Sequence, residues 1–196
     1  MRLFVRAAVL GLFVALVGQP ALAGPTSPEE RAAAKLGHLE PYISYFASLS
    51  YGPSDARVAS DYIRALILTE SNGNPRARSN KNAYGLTQIT PATARRAISS
   101  MAREGYDYLY VDEKEFGSFR DEDLYDPALN ILIACYLSAT YHERYQGKTE
   151  LVAAAWNAGP SAVARYGNQP PPYPETRRLI SRLLGYMSLF EAVKTR

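Results

Sequence analysis

The sequence predicts an all-α, mainly helical protein that folds as a single compact domain. Three observations favour this fold class. Apolar residues recur at helical spacing in several segments, and no segment shows the extended alternation of apolar and polar residues that is typical of strands. The 173 residues from Gly24 to the end are about as many as one domain with its own core requires.

The first 23 residues have the pattern of a secretory signal peptide. Arg2 and Arg6 precede an apolar stretch over residues 7–17, and Ala-Leu-Ala at 21–23 fits a cleavage site. The apolar stretch is shorter than the roughly 20 residues that a membrane-spanning helix needs. We therefore expect export to the periplasm, removal of residues 1–23 and no membrane span afterwards. An uncleaved N-terminal anchor is the alternative.

Charge, cysteine content and residue spacing give no indication of nucleic-acid binding, disulfide bonds or metal sites. The formal net charge is +3 and the basic residues are spread along the chain, which does not indicate a nucleic-acid partner. The only cysteine, Cys135, lies in the apolar stretch 131–137, so we expect no intramolecular disulfide and a small buried side chain there. No cluster has the spacing of metal ligands, and we expect neither a metal nor a cofactor.

The first half of the chain divides by apolar spacing and by end signals. Ser27 can cap the first helix, Asn72-Gly73 ends the second, and Pro91 is suited to the first turn of the third. The predicted segments, in order, are a leader (24–28), a helix (29–39), a helix (54–70), a loop (74–83) and a helix (91–101).

The second half begins with a tyrosine-rich irregular insertion, residues 103–125. Asp126 can cap a long helix that starts at Pro127, and Gly147 ends it. Four prolines between 170 and 174 predict a stiff connector. The remaining predicted helices span residues 149–156, 161–166 and 175–193.

Glu70 is the candidate catalytic residue. It follows Leu66 and Ile67 by four and three positions, so a helix places its carboxyl on the same face as these apolar side chains. Partial desolvation there raises the pKa of a carboxyl, as a general acid near neutral pH requires. Taken alone, a solvated and idle glutamate at a helix end is the more common interpretation.

Four ordered blocks change that balance. The chain reads ESNGNPRARS from Glu70 and AYGLTQITPATA over 83–94, then DP and NI over 126–131, AWNAGP over 155–160, and ETR over 175–177. Together they resemble the soluble lytic transglycosylase family across residues 63–186. The resemblance implies a fold like that of goose-type lysozyme, with a catalytic domain over 54–196 preceded by a leader and helix over 24–53.

The resemblance also implies a reaction. The family cleaves the β-1,4 bond between N-acetylmuramic acid and N-acetylglucosamine in peptidoglycan without water, leaving a 1,6-anhydromuramoyl end. Glu70 would first protonate the glycosidic oxygen and then take the proton from the attacking C6 hydroxyl. No second acidic residue lies near Glu70 in the signature region, which is consistent with a single catalytic carboxyl.

Further residues carry over from the family as substrate contacts, each with a structural alternative. Ser79 and Gln88 would approach N-acetyl or peptide groups, or else serve the loop by hydrogen bonding. Asn157 would hold substrate or close a turn. Glu175 would polarise the cleft, although the dipole of the following helix also explains an acidic residue there. Apart from the resemblance, the aromatic rings of Tyr84 and Tyr173 could line a sugar groove, although most of the 15 tyrosines in the chain are expected to be ordinary packing or surface residues.

Two departures from the family pattern affect the same cleft. Trp156 stands where the family usually has tyrosine, and its indole offers a donor but no acceptor. Thr87 and Thr90 stand where methionines are common, which predicts a smaller and more polar wall of the cleft.

Gly85 is expected to permit a tight turn beneath the cleft rather than to touch substrate.

Three alternatives remain open. A hydrolytic muramidase would use Glu70 as the acid and water as the nucleophile, and the product structure alone separates it from the first hypothesis. A binding or scaffold protein would keep the fold without turnover. A role in opening the wall for a secretion or conjugation machine concerns partners that the sequence does not name. We expect a monomer whose partner is the glycan strand of peptidoglycan.

Overall fold

The computed structural model describes residues 27–105 and 107–194. The predicted signal peptide and most of the leader lie outside these residues. In this part of the chain, no helix combines the length and the apolar character needed to cross a membrane.

The described chain is helical, which confirms the predicted fold class. Its only extended pairings are isolated bridges, such as that between Tyr51 and Ala56. Short 3-10 helices occur at Gly37–Leu39, Glu113–Ser118 and Asp121–Tyr125. The α-helices of the described residues are α1 (Pro28–Leu36), α2 (Glu40–Ser48), α3 (Ser60–Glu70), α4 (Pro91–Glu104), α5 (Pro127–Arg144), α6 (Thr149–Ala158), α7 (Pro160–Arg165) and α8 (Pro174–Lys194).

The N-terminal part holds one helix more than the sequence analysis predicted. Ser27 caps α1 through a capping box with Glu30, as expected of this residue. The additional helix is α2, which has Pro41 in its first turn, where a missing N–H costs nothing. Ile43 and Phe46 are fully buried, and α2 packs against α3 and α5, so this helix belongs to the same core as the rest of the chain.

Helix α3 runs through the centre of the molecule. It begins six residues later than predicted, because Tyr51 and Ala56 exchange backbone hydrogen bonds of 2.8 and 2.9 Å and so close a turn before it. Tyr62, Leu66 and Ile67 are completely buried. Because α2, α5 and α8 pack around α3, its last residue, Glu70, is held by the core.

The later helices start and end close to the predicted positions. Thr90 caps α4 and Gly105 ends it in the left-handed conformation, with φ 68°. The insertion 103–125 holds the last residues of α4 and two 3-10 helices, which confirms its irregular character. Asp126 caps α5, and Cys135 within α5 is buried and free, as predicted. Helix α8 crosses both α3 and α6.

Candidate active site

A cleft opens where the C-terminal end of α3 meets the loop over residues 71–90, the end of α6 and the start of α8. Glu70 lies in its wall at the last position of α3. Trp156 and Asn157 come from the last turn of α6, and Glu175 comes from the first turn of α8. The cleft is lined by Glu70, Ser79, Asn80, Lys81, Ala83, Gln88, Ile89, Thr90, Thr93, Leu137, Tyr141, Trp156, Asn157 and Glu175.

The environment of Glu70 favours its neutral form. Burial raises the pKa of its carboxyl to about 7, and the negative charge of Glu175 also raises it. Two groups act in the opposite direction: the indole N–H of Trp156 donates to the carboxyl, and the guanidinium of Arg182 attracts its charge. Since burial outweighs both, Glu70 is poised to hold and release a proton near neutral pH.

Glu175 has the opposite environment. Its side chain is 55% exposed and pairs with the ammonium of Lys81, which lies 94 positions earlier in the chain. This hydrogen bond with Lys81, a further one with Asn157 and the charge of Arg178 hold the pKa of the Glu175 carboxyl below its ordinary value. The ion pair joins the loop to α8 across the cleft. Glu175 is therefore ionised wherever Glu70 begins to titrate.

The loop that carries Ser79 and Gln88 is fixed to α5 by a buried side chain. Asn130 donates to the carbonyls of Tyr84 and Leu124, and its Oδ1 accepts from the backbone N–H and the hydroxyl of Thr87. A Cβ at Gly85 would collide with Asn130 and with the Leu124 carbonyl, and φ at Gly85 is 75°. Gly85 thus permits a tight turn beneath the cleft.

The position of Thr87 corrects one expectation. Its side chain is completely buried and bonded to Asn130, so it does not form part of the cleft wall. Thr90 does line the cleft, where its Oγ1 accepts from the Thr93 backbone and lies 2.9 Å from the Thr93 hydroxyl. Only one of the two threonines therefore makes the cleft more polar.

Ser79 and Gln88 both line the cleft, and both also serve the loop. The Ser79 hydroxyl accepts from the backbone N–H groups of Lys81 and Ala83 at 3.2 and 3.1 Å. The amide nitrogen of Gln88 donates to the carbonyls of Ala77 and Gly85 at 3.2 and 2.9 Å. With these donors committed, the Oε1 of Gln88 is the amide atom that can accept a bond from a ligand.

The structure does not bring the two tyrosines to the cleft lining. Tyr84 is 4% exposed, its ring packs against Arg78 and Tyr125, and its hydroxyl donates to Asn82, so it supports the loop. Tyr173 lies just before α8 and packs edge-to-face against Tyr166, with ring centroids 5.7 Å apart.

Several residues that the sequence analysis did not name also act on the cleft: Asn80, Lys81, Thr93, Leu137, Tyr141 and Arg182. For one of them, Arg182, the sequence spacing could have predicted its position. Arg182 follows Glu175 by seven positions, two turns of α8, so both face the same side of the helix. Its guanidinium also donates to the carbonyl of Leu68 at 3.4 Å, which ties α8 to α3 two residues before Glu70.

The cleft holds oxygen and nitrogen donors, but the described residues contain no group of histidine, cysteine, aspartate or glutamate side chains arranged to bind a metal ion. Glu70 can transfer a proton in this cleft, and Gln88, Asn157 and Ser79 can form hydrogen bonds with a ligand.

Comparisons with known proteins agree with this architecture. The chain is similar to the soluble lytic murein transglycosylase of Escherichia coli (strain K12), with 27% identity over 145 residues, which cover 68% of this chain and 21% of that protein. The crystal structure of the 70 kDa soluble lytic transglycosylase from Escherichia coli superposes with a TM-score of 0.62 at 26% identity, covering 85% of this chain and 27% of that one.

A complex of the 70-kDa soluble lytic transglycosylase with bulgecin A has the same fold, with a TM-score of 0.65 at 23% identity over 86% of this chain and 26% of that one. The chain thus spans about a quarter of the length of these proteins. A family model described as the transglycosylase SLT domain matches residues 52–176. Since this match covers more than half of the sequence and includes Glu70 and the cleft, the chain belongs to the transglycosylase SLT domain family.

Proposed function

We propose that this protein is a peptidoglycan lytic transglycosylase. It cleaves the β-1,4 bond between N-acetylmuramic acid and N-acetylglucosamine without water and leaves a 1,6-anhydromuramoyl end. The observation that carries the proposal is a carboxyl whose pKa is raised to about 7 in the wall of an open cleft. Membership of the family and the names of the relatives supply the substrate class.

In the first step, Glu70 acts as a general acid. Its proton moves to the glycosidic oxygen, the bond between this oxygen and C1 of the muramoyl sugar breaks, and the bonding electrons leave with the oxygen. The positive charge that develops is shared between C1 and the ring oxygen, and the substrate's own N-acetyl group stabilises it. A carboxyl with a pKa of about 7 is half protonated at neutral pH, so it can perform this step.

In the second step, the same carboxylate acts as a base. The C6 hydroxyl of the muramoyl sugar attacks C1, a C6–O–C1 bond forms within one sugar, and the hydroxyl proton passes to Glu70. The enzyme regains the proton that it gave, and no water is consumed. One titratable group near neutral pH therefore meets the requirements of both steps.

Trp156 and Arg182 stabilise the state between the two steps. Both favour ionised Glu70, which is the form that exists once the glycosidic oxygen has been protonated. Trp156 donates without accepting, so its hydrogen bond is strongest to the carboxylate. We assign Trp156 the orientation of the carboxyl, a role that the family's usual tyrosine would fill through its hydroxyl.

Substrate contacts follow from the polar groups left free in the cleft. Oε1 of Gln88 can accept from an N-acetyl N–H or a sugar hydroxyl, because its amide nitrogen is bonded to the loop. The Thr176 hydroxyl donates to the Oδ1 of Asn157 at 2.7 Å and so orients the Asn157 side chain. Ser79 and Thr90 complete the polar lining.

A hydrolytic reaction is the second candidate, and Glu175 favours it. An ionised carboxylate in the same cleft could activate water for attack on C1, as the base does in inverting glycosidases. The ion pair with Lys81 counts against this role, because it stabilises the ionised form and weakens its basicity.

Product analysis separates these candidates. The mature protein and its Glu70→Gln variant are incubated with purified peptidoglycan, and the released muropeptides are identified by mass spectrometry. We expect anhydromuramoyl products from the parent and none from the variant. Reducing-end products, heavier by one water, would establish hydrolysis instead. Binding without any products would indicate a binding or scaffold protein.

The location that suits this activity is the periplasm. Peptidoglycan lies outside the cytoplasmic membrane, so the predicted signal peptide over residues 1–23 would deliver the enzyme to its substrate. We propose that it acts in the periplasm as a monomer on glycan strands. A secretion or envelope machine that requires local opening of the wall would be a partner of the whole protein.

A further inference from the structure

We propose that Tyr166 and Tyr173 form a second glycan-binding site, an aromatic platform beside the catalytic cleft. Among the described residues, four large apolar or aromatic side chains are exposed to solvent, and these tyrosines are two of them, with exposed fractions of 40% and 37%. Their rings pack edge-to-face at an interplanar angle of 87°, with ring centroids 5.7 Å apart. In an edge-to-face pair, the edge of one ring covers a single face of the other, so the remaining faces are not covered by the partner ring.

The platform adjoins, along the chain, the residues at the Glu175 end of the cleft. The carbonyl of Tyr173 accepts from the Arg177 backbone N–H at 3.0 Å, so Tyr173 forms the N-terminal boundary of α8, within one turn of Glu175. Tyr166 ends α7, the short helix that directly follows Asn157 and the end of α6. Both rings are therefore attached to elements that also supply cleft residues.

The two rings are held in place before any ligand binds. Tyr173 stands between Pro172 and Pro174, whose rings restrict the backbone, and Pro171 is buried. After Tyr166, the turn is closed by backbone hydrogen bonds from Asn168 to Val163 and from Gln169 to Tyr166, at 3.0 and 3.2 Å. A fixed aromatic surface loses little conformational entropy on binding.

A glycan strand is the ligand that suits this surface. The C–H faces of pyranose rings pack on exposed aromatic faces, and a polymeric strand is longer than the cleft that cuts it. This inference rests on the proposed function, since the peptidoglycan strand is the polymer expected in the cleft. The platform would hold the strand beyond the cleavage site and keep the enzyme on the polymer.

The other exposed pair is different and supplies the control. Tyr110 is 41% exposed, but its ring covers Tyr42, Tyr45 and Phe46, so it closes an internal aromatic cluster. Leu109, beside it, is 68% exposed and comes from the insertion 103–125. Leu109→Ala therefore removes exposed apolar surface from an element that supplies no residue to the cleft.

The test measures binding without cleavage. Glu70→Gln protein is cosedimented with purified peptidoglycan, alone and combined with Tyr166→Ala, Tyr173→Ala, Tyr166→Phe or Leu109→Ala. We expect each tyrosine-to-alanine change to weaken binding about fivefold, and the phenylalanine and Leu109 changes to weaken it less than twofold. Unchanged binding by both alanine variants, or an equal loss in Leu109→Ala, would overturn the platform. Thermal unfolding confirms that each variant is folded.

This binding experiment and the product analysis of the parent enzyme together separate the platform from the proposed reaction. Tyrosine-dependent binding, with no anhydromuramoyl products from the parent enzyme, would refute the reaction and leave the platform standing. Anhydromuramoyl products with tyrosine-independent binding would refute the platform alone. In active protein, we expect Tyr166→Ala to slow cleavage of the polymer more than cleavage of a short glycan fragment, and equal slowing of both would count against the platform.

Discussion

Glu70 and Glu175 are the same residue type in the same cleft, yet their environments shift their pKa values in opposite directions. Burial at the end of α3 raises the pKa of Glu70 to about 7, whereas Lys81 and Asn157 hold the pKa of the half-exposed Glu175 below its ordinary value. Two carboxyls with such different protonation can divide acid chemistry from electrostatic support. The comparison shows that position in the fold, more than residue identity, decides which glutamate can donate a proton.

The largest expected effect is the loss of Glu70 as an acid. Glu70→Gln keeps the shape and removes the titrating group, so we expect kcat on peptidoglycan to fall by about 10³ or more. Glu175→Gln is the matched control, and we expect it to lower kcat by less than about tenfold. If Glu175→Gln were as damaging as Glu70→Gln, the two carboxyls would share the chemistry and a hydrolytic pair would be favoured.

The raised pKa of Glu70 also predicts a stability effect. Its pKa is about 7 when folded and 4.5 in an unperturbed carboxyl, so the folded protein binds more protons than the unfolded one between these values. The free energy of unfolding therefore falls as pH rises through this window. We expect Glu70→Gln to be more stable than the parent by on the order of 2 kcal/mol at pH 8, and by little at pH 4.

Denaturant unfolding at both pH values checks this prediction, with Glu175→Gln as the control. Because the pKa of Glu175 is lowered, its ionised form stabilises the folded state, and the substitution should not stabilise the protein at pH 8. A Glu70→Gln variant that gains no stability at pH 8 would show that the carboxyl is well solvated.

Replacement of Trp156 should have a smaller effect, and it tests how the neighbours of Glu70 set the pKa of its carboxyl. Trp156→Phe removes the N–H that favours ionised Glu70, so the pKa of Glu70 should rise and the alkaline limb of kcat/KM should move to higher pH. We expect kcat to fall about tenfold, because the carboxylate loses a charge-assisted hydrogen bond. Trp156→Tyr retains a donor and should keep the parent profile more closely. An identical pH profile for Trp156→Phe would exclude the hydrogen bond as a determinant of the pKa.

Replacement of Lys81 should have the smallest effect on activity. Its ion pair with Glu175 is exposed, and such pairs contribute little to stability in water. We expect Lys81→Met to change KM by less than about threefold, to raise the pKa of Glu175 towards its ordinary value and to reduce the salt dependence of KM. Lys148→Met alters an exposed lysine outside the cleft and serves as the control. Equal effects of both substitutions would show that net charge, rather than the ion pair, is responsible.

The comparison also indicates how far the sequence could predict the site. The burial of Glu70 follows from its spacing to Leu66 and Ile67, which is a local property of one helix. The environment of Glu175 depends on Lys81, 94 positions away, and no local pattern encodes that contact. The direction of one pKa shift could therefore be predicted, whereas the cause of the other could not.

The same distinction explains the errors in the fold and the loop. Helix α2 was missed because it is short and aromatic-rich, and packing of Ile43 and Phe46 against α3 and α5 stabilises it more than helix propensity does. Thr87 was placed in the cleft wall because it stands where methionine is common in the family, but the loop turns it inward to Asn130, 43 positions further on. Caps such as Asp126, which act within one turn, were predicted correctly.

The most direct test of the contrast between Glu70 and Glu175 is a titration of both carboxyls by carbon NMR on glutamate-labelled protein, with assignments from the two glutamine variants. We expect Glu70 to titrate near pH 7 and Glu175 below its ordinary value. Ordinary titration of Glu70 near pH 4.5, or a higher midpoint for Glu175 than for Glu70, would contradict the assignment of Glu70 as the acid of the cleft.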